Sequence, residues 1–334
     1  MGEASRTEQR ILPGTPRSCS VLGFVVSPPS TGAPDADRQV VALLRKARSE
    51  GVTVFDVSGE APAGRAQRLV AAAFPEFDPE LVLLVGGGLS RPPATRESSA
   101  SKSPEGEGPL AGLRASLAES RRRLSPQVPG ILEWTLDTAP SEEIATVVAS
   151  LETLRSSGDV AGWSLRLPPE PSVVSSQLGR WRPKLLSTEV SLLDPSFASF
   201  LDAEAPAAGF GVFVRNPFAG GLLDGTRFSS TLADRPPRSG PIDVRALRAE
   251  FDPVLRLGFL SGKHRRTLAQ AALQYLLPRT WVTSVLLPLP RPERWEELFG
   301  AAATPPLSAE EFARVEAGGE APEDRRIDPP FSQK

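Results

Sequence analysis

At 334 residues, with 40% hydrophobic and 23% charged content, the chain is long enough to bury one large α/β core or two smaller ones. A net charge of -2 and a pI near 5.8 leave no basic excess for a phosphate backbone, which argues against nucleic acid as a partner. No apolar run approaches the roughly 20 residues of a membrane span, MGEASRTEQR lacks the apolar centre of a signal peptide, and the single Cys19 permits neither an internal disulfide nor a zinc site, so no membrane association and a reducing, cytoplasmic setting are expected.

In chain order, short apolar runs alternate with amphipathic stretches. Val21 to Val26 predicts a first strand, followed by a helix in which Val40, Leu43, Leu44 and Ala47 share one face and Gly51 closes the end. Further strands are predicted at Val52 to Phe55, Leu81 to Val85, Gly130 to Trp134, Val160 to Leu165, Leu185 to Val190, Gly211 to Val214 and Val282 to Leu287. Helices fall between them around 64–74, 110–124, 141–157, 172–180, 195–206 and 267–277, with a last one near 292–301. Eight strands that read as buried on both faces, joined by helices, predict a single closed parallel (β/α)₈ barrel, a TIM barrel, in preference to an open sheet. Residues 90–109 are rich in Pro, Ser and Gly and predict a flexible excursion after the third strand. With the longer 226–260 segment after the seventh strand they are expected to wall the mouth of the barrel. Residues 1–9 are expected to be flexible, 10–316 to form the barrel and 317–334 to be a tail.

Several segments resemble the aldo/keto reductase family. GVTVFDVSGEAPAGRAQRLV (51–70) is similar to the stretch where a strand ends in an aspartate and a catalytic tyrosine follows, and VRNPFAGGLLDG (214–225) to the Pro-Leu-Ala-Gly-Gly-Leu-Leu element that wraps the cofactor pyrophosphate. TLAQAALQYLL, VTSVLLPL and RPERWEEL (267–298) resemble the last helix, the last strand and the adenosine-binding segment. ILPGTPRSCSVLGF (11–24) resembles the family's N-terminal hairpin and first barrel strand, and LSTEVSLLD (186–194) its sixth strand. The resemblance runs from about residue 10 to 316 and implies a (β/α)₈ barrel, an NADP(H) cofactor and a monomer.

It also implies a set of catalytic residues, and the departures fall there. Members of the family reduce a carbonyl by hydride from NADPH while a tyrosine supplies a proton, a lysine paired to an aspartate tunes that tyrosine, and a histidine orients the substrate. Asp56 keeps the aspartate. The tyrosine falls on Ala61, followed by Pro62, the lysine on Gly86 or Gly87, and the histidine on Trp134, with the register open toward Glu133 or Thr135. The single tyrosine, Tyr275, and the single histidine, His264, lie in or beside a late helix, and Lys46, Lys102, Lys184, Lys263 and Lys334 all lie away from strand ends at the mouth. The cofactor set is altered too. The glutamine for the nicotinamide amide falls on Ser187, an asparagine near the end falls on Leu298, and Leu289 replaces a turn glycine. Arg215, Pro217, Gly220 and Gly221 in the Gly-Gly element, and Arg291 with a guanidinium suited to a 2'-phosphate, remain as candidate cofactor contacts, with NADP(H) binding weakened or lost.

Asp56, Glu133 and Trp134 are therefore the candidate catalytic residues, and each has a second reading. Asp56 could cap the following turn, or find Arg65, water or backbone donors in place of the missing lysine. Trp134 is either a stacking platform or plain core, and the Gly-Gly pair is either a phosphate cradle or a structural turn. Three functional readings stay open: a degenerate barrel, a pseudoenzyme that binds a small molecule or a protein partner at its mouth; an enzyme with acid/base chemistry by Asp56 or Glu133; and an atypical NADP(H)-dependent oxidoreductase, with Glu133 as in family members that reduce polarised double bonds. Loss of a positioned general acid alone costs on the order of 10² to 10⁴ in rate.

Overall fold

The computed structural model describes residues 7–27, 34–59, 64–87, 109–136, 141–227, 251–261, 266–290 and 292–318. A short antiparallel hairpin, β1 (Gln9–Ile11) and β2 (Ser18–Ser20), precedes the barrel. Eight parallel strands then follow: β3 (Leu22–Val25), β4 (Val54–Asp56), β5 (Val82–Gly86), β6 (Ile131–Thr135), β7 (Gly162–Arg166), β8 (Leu185–Glu189), β9 (Gly211–Arg215) and β10 (Val282–Pro288). They hydrogen-bond in sequence order and β10 closes onto β3, which completes a (β/α)₈ barrel. Observed strands begin within about two residues of the predicted starts.

The helices are α1 (Pro34–Ser49), α2 (Arg65–Ala73), α3 (Pro109–Leu124), α4 (Ser141–Ser156), α5 (Pro171–Trp181), α6 (Pro195–Ala208), α7 (Leu268–Leu276), α8 (Trp295–Phe299) and α9 (Ala309–Glu316). α9 was not predicted, although Ser308 and Glu311 form a capping box at its start. Most of the 90–109 and 226–260 stretches, the N-terminal segment 1–6 and the tail beyond Gly318 lie outside the described residues. Among the described residues, no helix is long and apolar enough to cross a membrane.

Strand alternation divides the core in two. Val54, Val82, Leu84, Ile131, Leu185, Phe213 and Leu286 pack together inside the barrel, whereas Phe55, Leu83, Val85, Leu132, Trp134 and Leu165 pack outward against the helices. The hairpin plugs the bottom: Leu12 and Cys19 join the interior cluster, and Arg10 donates to the carbonyls of Arg279, Val282 and Leu277. With this end of the interior plugged by apolar side chains, the charged side chains Asp56, Glu133 and Arg215 that face inward stand at the opposite end, where the strands terminate.

Candidate functional site

At that end the inward side chains change from apolar to charged. Arg215, the last residue of β9, lies three strands from both β4 and β6 around the ring, and its guanidinium reaches across the barrel to both. Its Nη1 donates to Asp56 Oδ2 at 2.6 Å, its Nη2 to Glu133 Oε1 at 2.8 Å, and its Nε to Ser187 Oγ at 2.6 Å. Ser58 bridges the pair, with its backbone N–H on Asp56 Oδ1 at 2.8 Å and its hydroxyl 3.3 Å from Glu133 Oε1. Arg215, Asp56 and Glu133 are all buried. Burial works against the charged guanidinium, but the Glu133 and Asp56 carboxylates outweigh it and hold Arg215 above the ordinary arginine range.

Two carboxylates around one guanidinium leave a deficit of one positive charge, and Arg166 at the end of β7 supplies it. Its Nη1 stands 4.0 Å from Glu133 Oε1, within ion-pair range but beyond a hydrogen bond, and its side chain is 38% exposed at the rim. Glu133 Oε2 and the hydroxyl of Ser164, which faces Glu133 across the β6–β7 ladder, are buried with no hydrogen-bond partner among the described residues.

A Cβ at Gly86 would stand 3.0 Å from the Ser58 carbonyl oxygen, so a side chain there would need that backbone to give by a few tenths of an ångström. A Cβ at Gly87 would meet Leu113 at 3.0 Å, in the helix layer. The reading of Arg65 as a partner for Asp56 is corrected: Asp56 is held by Arg215, and Arg65 pairs with Asp37. The turn-capping reading of Asp56 holds alongside it, through Ser58. Trp134 is also corrected. It packs in the outer cluster with the helices, so Glu133, its neighbour in the strand, is the residue that points into the barrel.

The candidate cofactor residues divide. Arg215 and Ser187 form the ion cluster itself, and Ser187 lies fully buried beneath the Arg215 guanidinium, away from a ligand at the rim. Pro217 is buried under its turn. Asn216, with a positive φ of 50°, accepts the Gly220 N–H on its Oδ1 at 2.6 Å and donates to Glu189 at 2.8 Å. The Gly221 N–H is taken by the Phe218 carbonyl, and a Cβ at Gly221 would stand 2.5 Å from Thr226 Oγ1. Gly221 is thus demanded by the packing of the turn, whereas Gly220 opens onto free space. Arg291, Ala61, Pro62 and His264 lie outside the described residues.

The remaining titratable candidates are structural. Tyr275 is buried in α7 and donates to Glu316 of α9 at 2.7 Å, and burial followed by the Glu316 bond pushes its phenol up. Lys46 lies over the Trp295 ring, and Lys184 runs along Gly14 at the plugged end. Sequence reasoning missed Ser58 and Arg166. For Arg166 the signal was available, since it stands two residues beyond Ser164 on the same face of the strand.

The aldo/keto reductase family model matches residues 28–320. The chain is 27% identical over 296 residues to L-glyceraldehyde 3-phosphate reductase of Escherichia coli O157:H7 and to that of Escherichia coli strain K12, each match covering 82% of both chains. Aldo-keto reductase AKR11C1 from Bacillus halodurans is similar in structure: its holo form gives a TM-score of 0.72 at 20% identity, and its apo form 0.67 at 18%, each covering 96% of this chain and 99% of that one. At such identities the structural likeness speaks for the fold, and the family match speaks for descent. A barrel closed in sequence order, a plugging hairpin, an aspartate at the end of the second barrel strand and a family match over most of the length agree: the chain belongs to the aldo/keto reductase family.

Proposed function

We propose that this barrel does not reduce carbonyls by the tyrosine-dependent NADPH route and instead holds a small anionic molecule at its mouth, anchored by Arg166. The observation that carries the reading is the Arg215 guanidinium buried between Asp56 and Glu133. It fills the centre of the mouth with an ion pair that no substrate needs to complete, and arginine is too weak an acid to replace the missing phenol.

Aldo/keto reductases generally bind NADP(H), but the described residues as arranged do not fit it. Ser187 is covered by Arg215, and the Gly220 and Gly221 N–H groups are engaged within their own turn and so are withheld from a phosphate. Arg166 is different. Among the described residues no hydrogen bond engages its partly exposed guanidinium and its charge partner is 4.0 Å away, so its donors are open to a carboxylate or phosphate. The related L-glyceraldehyde 3-phosphate reductases are named for a substrate with such a charge.

The test is a stopped assay of NADPH oxidation with simple aldehydes, ketones and L-glyceraldehyde 3-phosphate, alongside calorimetry with NADP, NADPH and the sugar phosphate. We expect no turnover, and sugar phosphate binding that Arg166→Ala removes. A turnover near 1 per second, at the low end for enzymes, would overturn the reading. A second reading is favoured by one atom: Glu133 Oε2, buried without a partner among the described residues, is the place where a mouth ligand could exchange a proton. Glu133→Gln would abolish any such activity while leaving anion binding at Arg166 in place.

A further inference from the structure

A second cleft lies at the plugged end of the barrel, far from the mouth and independent of its function. About 400 Å³ in volume, it opens between the hairpin turn, α4 and α5, under the first residues of β7 and β8. Such a volume is of the size that holds a small organic molecule. Two of the chain's five tryptophans line it, Trp163 from β7 and Trp181 from the end of α5. Both indole N–H groups are already engaged, Trp163 Nε1 on Glu152 at 3.1 Å and Trp181 Nε1 on Gln177 at 2.9 Å. The rings are thereby held in place; Trp163 is buried in the core and contributes to the floor of the cleft, while the half-buried Trp181 offers it apolar π surface.

The charges around the rings are unbalanced. Glu152, the one carboxylate in the lining, is spent on Arg155, on the Trp163 indole and on Ser156. Arg182 and Lys184, also in the lining, have no carboxylate partner among the described residues, and Arg180 stacks over Trp181 at 4.8 Å without one. A fixed aromatic wall beside unneutralised cations selects a flat, anionic guest, which the Trp181 ring holds by stacking and the cations by charge-assisted hydrogen bonds. The bottom face of such a barrel ordinarily serves stability alone, which makes a half-buried indole beside cations without a carboxylate partner among the described residues unexpected for a purely structural surface.

We propose that this cleft is a binding site for a planar aromatic carboxylate or phosphate, stacked on Trp181 over a floor that Trp163 helps to form, with its anionic group on Arg182 and Lys184. The probe is 2-naphthoate, titrated by calorimetry and by NMR saturation transfer against its neutral counterpart 2-naphthamide and the non-aromatic hexanoate. Saturable binding of 2-naphthoate is expected, at least about tenfold tighter than either control, with affinity falling as salt is added. Arg182→Ala with Lys184→Ala, both on the surface, is expected to weaken it about tenfold, and Trp181→Leu likewise, whereas Arg166→Ala at the mouth leaves it unchanged. Absence of saturable binding at millimolar concentration, equal binding of the amide, or indifference to the double substitution would each overturn the proposal. Loss of binding on Arg166→Ala would place the probe at the mouth and overturn it as well. Should a variant fail to fold, the salt dependence of the unaltered protein and its preference for naphthoate over the amide still decide. Carbonyl turnover does not enter any of these readouts, so this site and the reading of the mouth fail separately.

Discussion

Arg215 has to be weighed against what its removal would leave. Asp56 and Glu133 are each buried, and without the guanidinium two carboxylates would face each other with Ser58 as the remaining hydrogen-bond donor and Arg166 4.0 Å from Glu133. Breaking a buried ion pair from one side typically costs about 3–5 kcal/mol, whereas exchanging the whole group for neutral residues of similar volume is close to neutral. Arg215→Met should therefore lower unfolding free energy by about 3–5 kcal/mol in urea titrations, and adding Asp56→Asn and Glu133→Gln should recover most of it. Arg215→Lys should fall well short of rescue, because one ammonium cannot serve Asp56, Glu133 and Ser187 together. A cost below about 1 kcal/mol for Arg215→Met would mean that water, not the arginine, solvates the carboxylates. Each of the three charged residues could be picked out in the sequence, but their union could not. Arg215 stands beside Pro217, Gly220 and Gly221, which drew it into a cofactor role, while its partner Asp56 is 159 positions away. All five residues of β9 are buried, so polarity alternation carried no sign of which side chains point inward. The same silence in β6 put Trp134 and Glu133 on equal footing until the strand's facing was seen.

The elements were far more legible than the site, because their signals are local. Proline at the starts of α5 and α6 and the left-handed Gly209 after α6 mark ends that need no distant partner to be recognised. The same class of signal supports two predictions. Thr267 caps α7, accepting the Gln270 N–H while the Gln270 side chain returns to the Thr267 N–H. Since α7 is buried almost throughout, Thr267→Ala should cost about 1 kcal/mol and appear as a shift of the global unfolding midpoint. Ser308 makes the equivalent box for α9, which packs on the outside through Val315 and the Tyr275–Glu316 bond. Ser308→Ala should remove a similar amount locally, seen as faster amide exchange across Ala309–Glu316 with little change in the midpoint. If both substitutions move the midpoint equally, α9 unfolds with the barrel and is not a separable unit. That α9 went unpredicted is not a matter of length, since the five-residue α8 was anticipated; the Ser308 and Glu311 spacing and the Phe312 and Val315 face were there to be read.

At the scale of the molecule, one end of the barrel is closed by the hairpin, and the described buried charges that face inward, Asp56, Glu133 and Arg215, stand at the other. Cys19 sits at the closed end, fully buried among Leu12, Val54, Val82 and the other interior side chains. Burial pushes its thiol up to about 12, against the opposing pull of Arg10 and Arg17. Since the folded state favours the neutral thiol, this contribution to stability is complete below the ordinary thiol range near 9 and is lost as pH climbs from there toward 12. Tyr275, also raised by burial, acts with the same sign at still higher pH. Two outcomes are expected. Native protein at pH 8 should resist iodoacetamide, with modification proceeding no faster than global unfolding, because the hairpin plug must leave the barrel before the sulfur is reached. Cys19→Ala should flatten part of the alkaline fall in stability measured by urea titration between about pH 9 and 11. Alkylation much faster than unfolding, measured against the amide exchange of β3 to β10, would show that the hairpin opens on its own. The plug would then be a hinged cover over the barrel floor, and the hydrogen bonds from Arg10 to the carbonyls of Arg279, Val282 and Leu277 would be too weak to tie it to the strand that closes the barrel.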